Sequence, residues 1–438
     1  MASGKAREME ARRIAIDALE VVLRLFDTAH RLRSELHRLN DWLQEAGLAT
    51  LLTVRPASRS ATAAFEEFFY SMGDCVIEMQ QRVVAQTCTH RLRVVKYRGS
   101  AFAANEHPYV IADGGLRVVP ISAVGLRHKP LGERICTGVS GLDRILAGGY
   151  RRASCVLFAG LPGTGKTLLA ATFVAAACER GERVLYVSLE ESQDALVENV
   201  RSGGIDLRAF VANGRLRFLC HYPEAMGAEQ HLVTALDAIE EMSPAHVVVD
   251  AISACARMGG QQAAFEYLMR LLNACKERGT TILLTNQTTG TGGIADISGE
   301  NISSMVDTVI RLEYCEQYGE TTRLLSVVKA RGSAHSNQKR EYLITDTGIQ
   351  LMDPYVGAGE VLTGTARQVQ EDKDRLEAER VAYEIGIKEL ELERLRAVHR
   401  QLSAGTAARS AMRGAAGCAA APPVGHPRAG GSEQAQEG

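Results

Sequence analysis

One octapeptide limits what this chain can fold into more than any other feature: Gly160-Leu161-Pro162-Gly163-Thr164-Gly165-Lys166-Thr167. It fits the G-x-x-x-x-G-K-[ST] pattern of a phosphate-binding loop. The apolar run Ser154 to Ala159 before it reads as a buried strand, and the Ala-rich run Leu168 to Arg180 after it reads as a helix. That strand–loop–helix context is what the motif requires. Glycines let backbone amides turn inward around a phosphate chain, and the helix N-terminus adds the positive end of its dipole. Gly163, Thr164, Gly165 and Leu168 would line the phosphates, Lys166 would reach the β- and γ-phosphates, and the Thr167 hydroxyl would bind Mg²⁺.

The 438 residues suffice for two domains and a tail. A net charge of −2 gives no global basic field for nucleic acid or anionic membrane. The 10 cysteines are scattered singly, without a C-x-x-C pair, which suits reduced thiols and neither a disulfide frame nor a zinc site. The polar start, Met1 to Glu10, has no apolar core of a signal peptide, and no apolar run reaches the ~18 residues of a membrane span. A cytoplasmic protein is expected.

The chain repeats itself. Asp17-Ala18 corresponds to Asp250-Ala251, and Ser71-Met72-Gly73-Asp74 to Ser304-Met305-Val306-Asp307. Lys96-Tyr97-Arg98-Gly99-Ser100 corresponds to Lys329-Ala330-Arg331-Gly332-Ser333, and Asp113-Gly114-Gly115 to Asp346-Thr347-Gly348. Every pair has the same offset, 233 (250 − 17 and 346 − 113 alike). Residues 1–130 therefore read as the back half of a module that residues 131–355 contain whole. The first copy has no counterpart of the phosphate loop and cannot hold a triphosphate by the same means.

Within the first copy, Arg13 to Asp17 reads as a short strand and 27–46 as a helix, with Trp42 in its core. Ala49 to Val54, Met72 to Met79 and Arg91 to Lys96 read as further strands. A linker, Arg127 to Gly132, leads into the second copy. There, strands at Arg183–Leu189, Leu216–Leu219, His246–Asp250 and Thr281–Thr285 alternate with helices at 228–241 and 263–278. The fold class is α/β, a mostly parallel central sheet with helices on both faces. From Gly359 to Leu402 long charged residues surround Val369, Leu376, Tyr383, Leu390 and Ala397, one every seventh residue. That pattern fits either a solvated helix or a coiled-coil strand, because Lys373 and Arg380 fall on the seam. Residues 405–438, rich in Ala, Gly, Pro and Ser, read as disordered.

Asp250 ends an apolar strand, where a carboxylate can hold Mg²⁺ through water and complete the site that Thr167 begins. Glu190 and Glu191 end the neighbouring strand, beyond which ligands bind in open α/β sheets. A carboxylate there can take a proton from an attacking water or hydroxyl, or share the metal. Only one of two consecutive strand residues faces the site. Arg323, Lys329 and Arg331 form a cationic group that is either a solvated strand end or a set of arginine-finger cations. Ser303-Ser304 is, by residue type alone, an ordinary hydroxyl pair in a turn.

Taken together, Ser140-Gly-Leu-Asp143, the phosphate loop, Leu189-Glu-Glu-Ser192, Val249-Asp250, Ile302-Ser-Ser304 and Lys329-x-Arg-Gly-Ser333 resemble the C-terminal ATPase module of the KaiC circadian-clock kinase family. That family is a branch of the RecA-like P-loop ATPases. Residues 13–128 resemble the latter part of its N-terminal module, through Lys96-Tyr-Arg-Gly-Ser100, Asn105-Glu106 and Pro120-Ile121. The resemblance implies a two-tiered hexameric ring, a homo-oligomer with ATP between subunits. It implies phosphate and Mg²⁺ binding by Lys166 and Thr167, and Glu190 as catalytic carboxylate with Glu191 beside it. Arg323, Lys329 and Arg331 would reach the ATP of the adjacent subunit, and Ser303 and Ser304 would be autophosphorylated. Two departures stand out. Gly203 occupies the place of an adenine-stacking Trp, and the charged helix replaces the family's tail, where a signalling partner would dock. Two other functional classes compete: a RecA-like DNA-handling ATPase, against which the near-neutral charge weighs, and a scaffold whose ring ATP closes without kinase output.

Overall fold

The computed structural model describes residues 8–19, 21, 26, 28–55, 69–84, 86–112, 114–119, 127–288, 302, 304–317, 319–336, 338–353 and 362–416. The chain divides into two compact units, one made of residues 1–316 with 321–361, the other of 317–320 with 362–438.

In the first unit the opening segment contributes β1 (Arg13–Ile16), α1 (Ala29–Glu45), β2 (Ala49–Leu52), β3 (Cys75–Val84), β4 (Thr87–Tyr97), β5 (His107–Ala112) and β6 (Gly115–Val118). Leu32, Leu36 and Leu43 of α1 are buried, as their helical spacing requires. Trp42 lies one position off that stripe and is half-buried, so it is not the core residue expected. Met72 belongs to a helical turn before β3, which starts only at Cys75.

The second segment contributes β7 (Arg134–Ile135), α2 (Ser140–Ile145), β8 (Tyr150–Arg151), β9 (Cys155–Gly160), α3 (Lys166–Glu179), β10 (Val184–Ser188), α4 (Gln193–Arg201), α5 (Arg208–Ala212) and β11 (Leu216–Cys220). There follow α6 (Ala228–Met242), β12 (His246–Asp250), a 3₁₀ segment (Ile252–Met258), α7 (Gln261–Arg278) and β13 (Thr281–Gln287). Four more strands complete it: β14 (Thr308–Gln317), β15 (Glu320–Ala330), β16 (Arg340–Thr345) and β17 (Gly348–Leu351). Among the described residues β7-β8 form a separate antiparallel pair, and β9 to β17 form one sheet in the order β11-β10-β12-β13-β9-β14-β15-β16-β17. It is parallel from β11 to β14 and ends in antiparallel pairs. The phosphate-loop strand β9 is therefore central and buried on both faces. One face carries Val156, Phe158, Leu283, Ile310 and Leu312 against α3. The other carries Leu157, Val249 and Leu284 against α6 and α7. Strands covered on both sides read as continuous apolar runs, which is why their sequence signal is strong.

The repeat is a repeat of structure. Strands β14, β16 and β17 begin and end 233 residues after β3, β5 and β6, and β15 does so after β4 (320 − 87 and 330 − 97). Contacts recur as well. Thr285 Oγ1 donates to Asp250 Oδ1 in the second copy, and Thr53 Oγ1 donates to Asp17 Oδ1 in the first. Arg331 donates its amide to the Asp307 carbonyl at 2.8 Å, as Arg98 does to Asp74 at 2.9 Å. In the first copy the strands fall into two separate sheets, β1-β2 and β3-β4-β5-β6. Ion pairs join the two copies: Arg91 reaches Glu229 at 2.9 Å and Glu266 at 3.3 Å, and Arg117 reaches Asp237 at 2.5 Å.

In the second unit α8 (Gly364–Ala416) is one long helix, whose Thr365 amide and hydroxyl donate to Glu320 at 2.9 and 2.7 Å. It continues through 405–416, a stretch expected to be disordered. Its alanines are strong helix formers that extend a helix already nucleated. The rest of that expected tail, 417–438, lies outside the described residues.

Candidate active site

The loop between β9 and α3 is shaped by two glycines with positive φ, Gly163 at 75° and Gly165 at 90°. Gly165 immediately precedes the first helical residue, Lys166, two residues earlier than the sequence suggested. A Cβ on Gly163 would lie 2.7 Å from the Tyr314 hydroxyl and would make that ring shift, and the positive φ there favours glycine. Thr164 is buried; its hydroxyl donates to the Leu161 carbonyl at 2.7 Å, and its own carbonyl accepts from Tyr342. The loop is thus braced from inside.

Lys166 folds back over the loop, donating to the carbonyls of Gly160 at 3.0 Å and Leu161 at 2.8 Å. Burial pushes its pKa down, and the negative charges of Asp250 and then Glu190 oppose that shift. The ammonium therefore sits in the field of two of the three acids singled out in the sequence. Thr167 and Leu168 are half-buried on the first turn of α3. A Cβ on Gly203 would lie 2.7 Å from Leu168 Cδ1, so the side chain of Leu168 occupies the room an aromatic ring there would need.

Asp250, at the end of β12, accepts from the Tyr186 hydroxyl at 2.7 Å and from the Thr285 hydroxyl. Both carboxylate oxygens are engaged, yet each retains lone-pair capacity, which suits a carboxylate that holds a metal through water. Among the described residues no cluster of three or more His, Cys, Asp or Glu forms a metal cage. The residues present fit Mg²⁺ of the kind whose shell is mostly water and phosphate oxygen.

β10 ends at Ser188, short of the two glutamates, and they diverge in the bend that follows it. Ser188 ties the turn by donating to the Glu191 carbonyl at 2.7 Å. Glu191 then accepts from Asn199 on α4 at 2.8 Å, away from the loop. Glu190 is exposed and pairs with Arg257 at 3.3 Å; the same guanidinium reaches Glu224 at 3.3 Å. Arg257, on the 3₁₀ segment, was not legible as a site residue, because nothing in its local pattern marks it. Thr285 could have been found, since Thr53 repeats it beside Asp17; Tyr186, on β10, has no counterpart in the first copy to mark it.

The cations of β15 separate. Arg323 donates from Nε to the Gly163 carbonyl at 3.4 Å and lies over the Tyr314 ring, so it touches the phosphate loop of its own chain. Lys329 donates to the Val306 carbonyl at 2.7 Å, and burial holds its pKa below the usual lysine value. Arg331 is half-exposed, with its guanidinium 3.8 Å from Asp307. Asp307 is itself a hub: its Oδ2 accepts from the Cys155 amide at 2.8 Å and from Lys276 at 2.9 Å. Ser304 is exposed in a turn, and Ser303 lies outside the described residues.

Known proteins resemble this chain over both copies. The family described as "ATPase: KaiC" matches residues 4–123 and 135–355, so both copies are included. Circadian clock protein KaiC2 of Synechocystis sp. is 36% identical over 385 residues, 87% of this chain and 67% of that protein. Circadian clock oscillator protein KaiC of Parathermosynechococcus lividus is 32% identical over 370 residues, 84% of this chain and 68% of its own. The KaiC of Synechococcus elongatus is 31% identical, with 84% and 71% covered. No described helix is long and apolar enough to cross a membrane. With the family matched across both copies and a phosphate loop braced for nucleotide, this chain belongs to the KaiC family of ATPases.

Proposed function

We propose that the chain hydrolyses ATP with Mg²⁺ at the β9–α3 loop, assembles as a homo-oligomeric ring, and transfers phosphate to Ser303 or Ser304. The observation that carries this reading is Lys166 held between loop carbonyls in the combined field of Asp250 and Glu190. When nucleotide binds, the Lys166 ammonium exchanges two backbone carbonyls for phosphate oxygens, and the amides of Gly163 to Thr167 supply the remaining donors. Mg²⁺ would supply charge neutralisation beside the Thr167 hydroxyl, with Asp250 orienting its water shell. Glu190 is the base: released from Arg257, its carboxylate takes the proton of an attacking water or of a serine hydroxyl. Arg331, half-exposed with its guanidinium 3.8 Å from Asp307, would serve a neighbouring subunit, whereas Arg323 supports the loop of its own chain.

Incubation with γ-labelled ATP tests the reading. Label on Ser303 or Ser304 that disappears in Glu190→Gln supports an autokinase. Turnover without label leaves an ATPase, and DNA-stimulated turnover would favour the DNA-handling alternative. The scaffold reading draws on one observation, that Glu190 is engaged by Arg257. It requires partner binding to survive in Glu190→Gln.

A further inference from the structure

Three neighbouring strands converge on the phosphate loop. β9 ends at Gly160, and the residues that follow touch β14, β15 and β16, which lie side by side in the sheet. Tyr314 of β14 donates its hydroxyl to the Pro162 carbonyl at 3.1 Å. Arg323 of β15 donates from Nε to the Gly163 carbonyl at 3.4 Å. Tyr342 of β16 donates its hydroxyl to the Thr164 carbonyl. Consecutive loop carbonyls are thus held by consecutive strands.

Strand alternation builds this row. Leu312, Leu325 and Tyr342 belong to the core cluster that α3 covers. Tyr314 and Arg323 lie two residues from Leu312 and Leu325, so their side chains leave the same face of the sheet. Leu324 pairs with Glu341, which sets Arg323 beside Tyr342, and the guanidinium lies over the Tyr314 ring, 5.8 Å from its centroid. Ile344, two residues after Tyr342, packs under Gly165: a Cβ there would lie 3.1 Å from Ile344 Cδ1.

Fixing the carbonyls fixes the amides. In a trans peptide the C=O and the N–H of the next residue point in opposite directions. Carbonyls of Pro162, Gly163 and Thr164 turned toward the sheet leave the amides of Gly163, Thr164 and Gly165 turned away from it. The Thr164 amide faces the loop interior, 3.4 Å from the Leu161 carbonyl. That carbonyl also accepts from the Lys166 ammonium, so amide and ammonium address the same space. Peptides flanked by glycine rotate easily, and each rotation would take a donor out of the site.

We infer that Tyr314 and Tyr342, with Arg323 between them, are positioning residues for a bound polyphosphate: they hold the loop carbonyls back so that the amides of Gly163 to Gly165 are aimed at its oxygens before it arrives. The inference rests on the reading of this loop as a nucleotide site. Donors ordered in advance lower the entropic cost of binding.

Tyr314→Phe and Tyr342→Phe each remove one hydroxyl and keep the ring. Calorimetric titration with ADP and Mg²⁺ should show the dissociation constant raised about fivefold in each, the worth of one hydrogen bond. Tyr383→Phe, on α8, should leave it unchanged. KM for ATP should rise in proportion, with kcat within about twofold, since the amides hold phosphate alike in the ground and transition states. A merely destabilised fold would lower kcat through the folded fraction and leave KM unmoved. Without nucleotide, hydrogen exchange should quicken about fivefold in residues 161–166 and not in α7. Tyr314 is half-buried, so its variant remains decisive if loss of the buried Tyr342 hydroxyl prevents folding. Unchanged affinity and loop exchange in Tyr314→Phe, or a fall in kcat with KM unmoved, would overturn the inference alone. An unaltered chain that binds no ADP would overturn the nucleotide reading of the loop and this inference with it.

Discussion

Lys276 places its ammonium 2.9 Å from Asp307, a buried carboxylate that also accepts the amide of Cys155, the first residue of the phosphate-loop strand. One side chain thereby joins α7, β9 and the start of β14. Removing the cation leaves a buried charge without its partner. Lys276→Ala and Asp307→Asn should therefore each cost about 3 kcal/mol or more of stability, since either leaves one member of the buried pair without the other. Denaturant unfolding of the two variants checks both.

Lys166→Ala should reduce ATP turnover by about three orders of magnitude, since the ammonium is the charge that meets the β- and γ-phosphates. Lys166 is half-buried and bonds only loop carbonyls, so the melting temperature should move little. Steady-state phosphate release and a thermal scan on the same sample separate the two effects.

Asp250→Asn keeps one acceptor oxygen for Tyr186 or Thr285, sets an amide NH2 against the other hydroxyl and removes the negative charge. Turnover should fall by about a hundredfold, with a raised Mg²⁺ requirement and nucleotide affinity less affected. Thr285→Val should weaken turnover far less, by the worth of one hydrogen bond, about 1 kcal/mol. Titration of turnover with Mg²⁺ checks both.

Acid should destabilise the fold in two steps. Burial lowers the pKa of His246, so its neutral form favours the folded state; that contribution is present above the unfolded pKa of about 6.5 and is lost as pH falls through the lower folded value. Glu182 is held well below the usual carboxylate range by hydrogen bonds from His246 and Arg152. Its contribution is present above about pH 4.3 and is lost on further acidification. Glu182→Gln should flatten the lower step, read as unfolding midpoint against pH.

Val369, Leu376, Tyr383 and Leu390 of α8 are exposed at 47%, 63%, 71% and 69%, and recur every seventh residue. If they seat a partner helix, a chain ending at residue 361 should lose that association and keep its turnover within about twofold, because α8 supplies no site residue. Sedimentation of both forms with and without ATP checks this.

Several features were legible in the residues themselves. The phosphate loop was, because its chemistry demands Gly, Lys and Thr at set spacing and its flanks are unambiguous. So were the parallel strands, whose burial on both faces makes them apolar throughout. The repeat showed in a handful of polar residues, Asp74 and Asp307, Arg98 and Arg331, because each keeps a contact that recurs in both copies. Tertiary structure alone decided the rest. Glu190 and Glu191 are identical in type and adjacent; only the turn after β10 sends the first to Arg257 and the second to Asn199. Arg323 and Arg331 lie eight residues apart on and after one strand, yet one touches its own loop and the other reaches outward from Asp307. The phosphate loop is thus a property of its own eight residues, whereas its surroundings come from strands, helices and turns distant in the chain, and packing alone decides which of their side chains point at it.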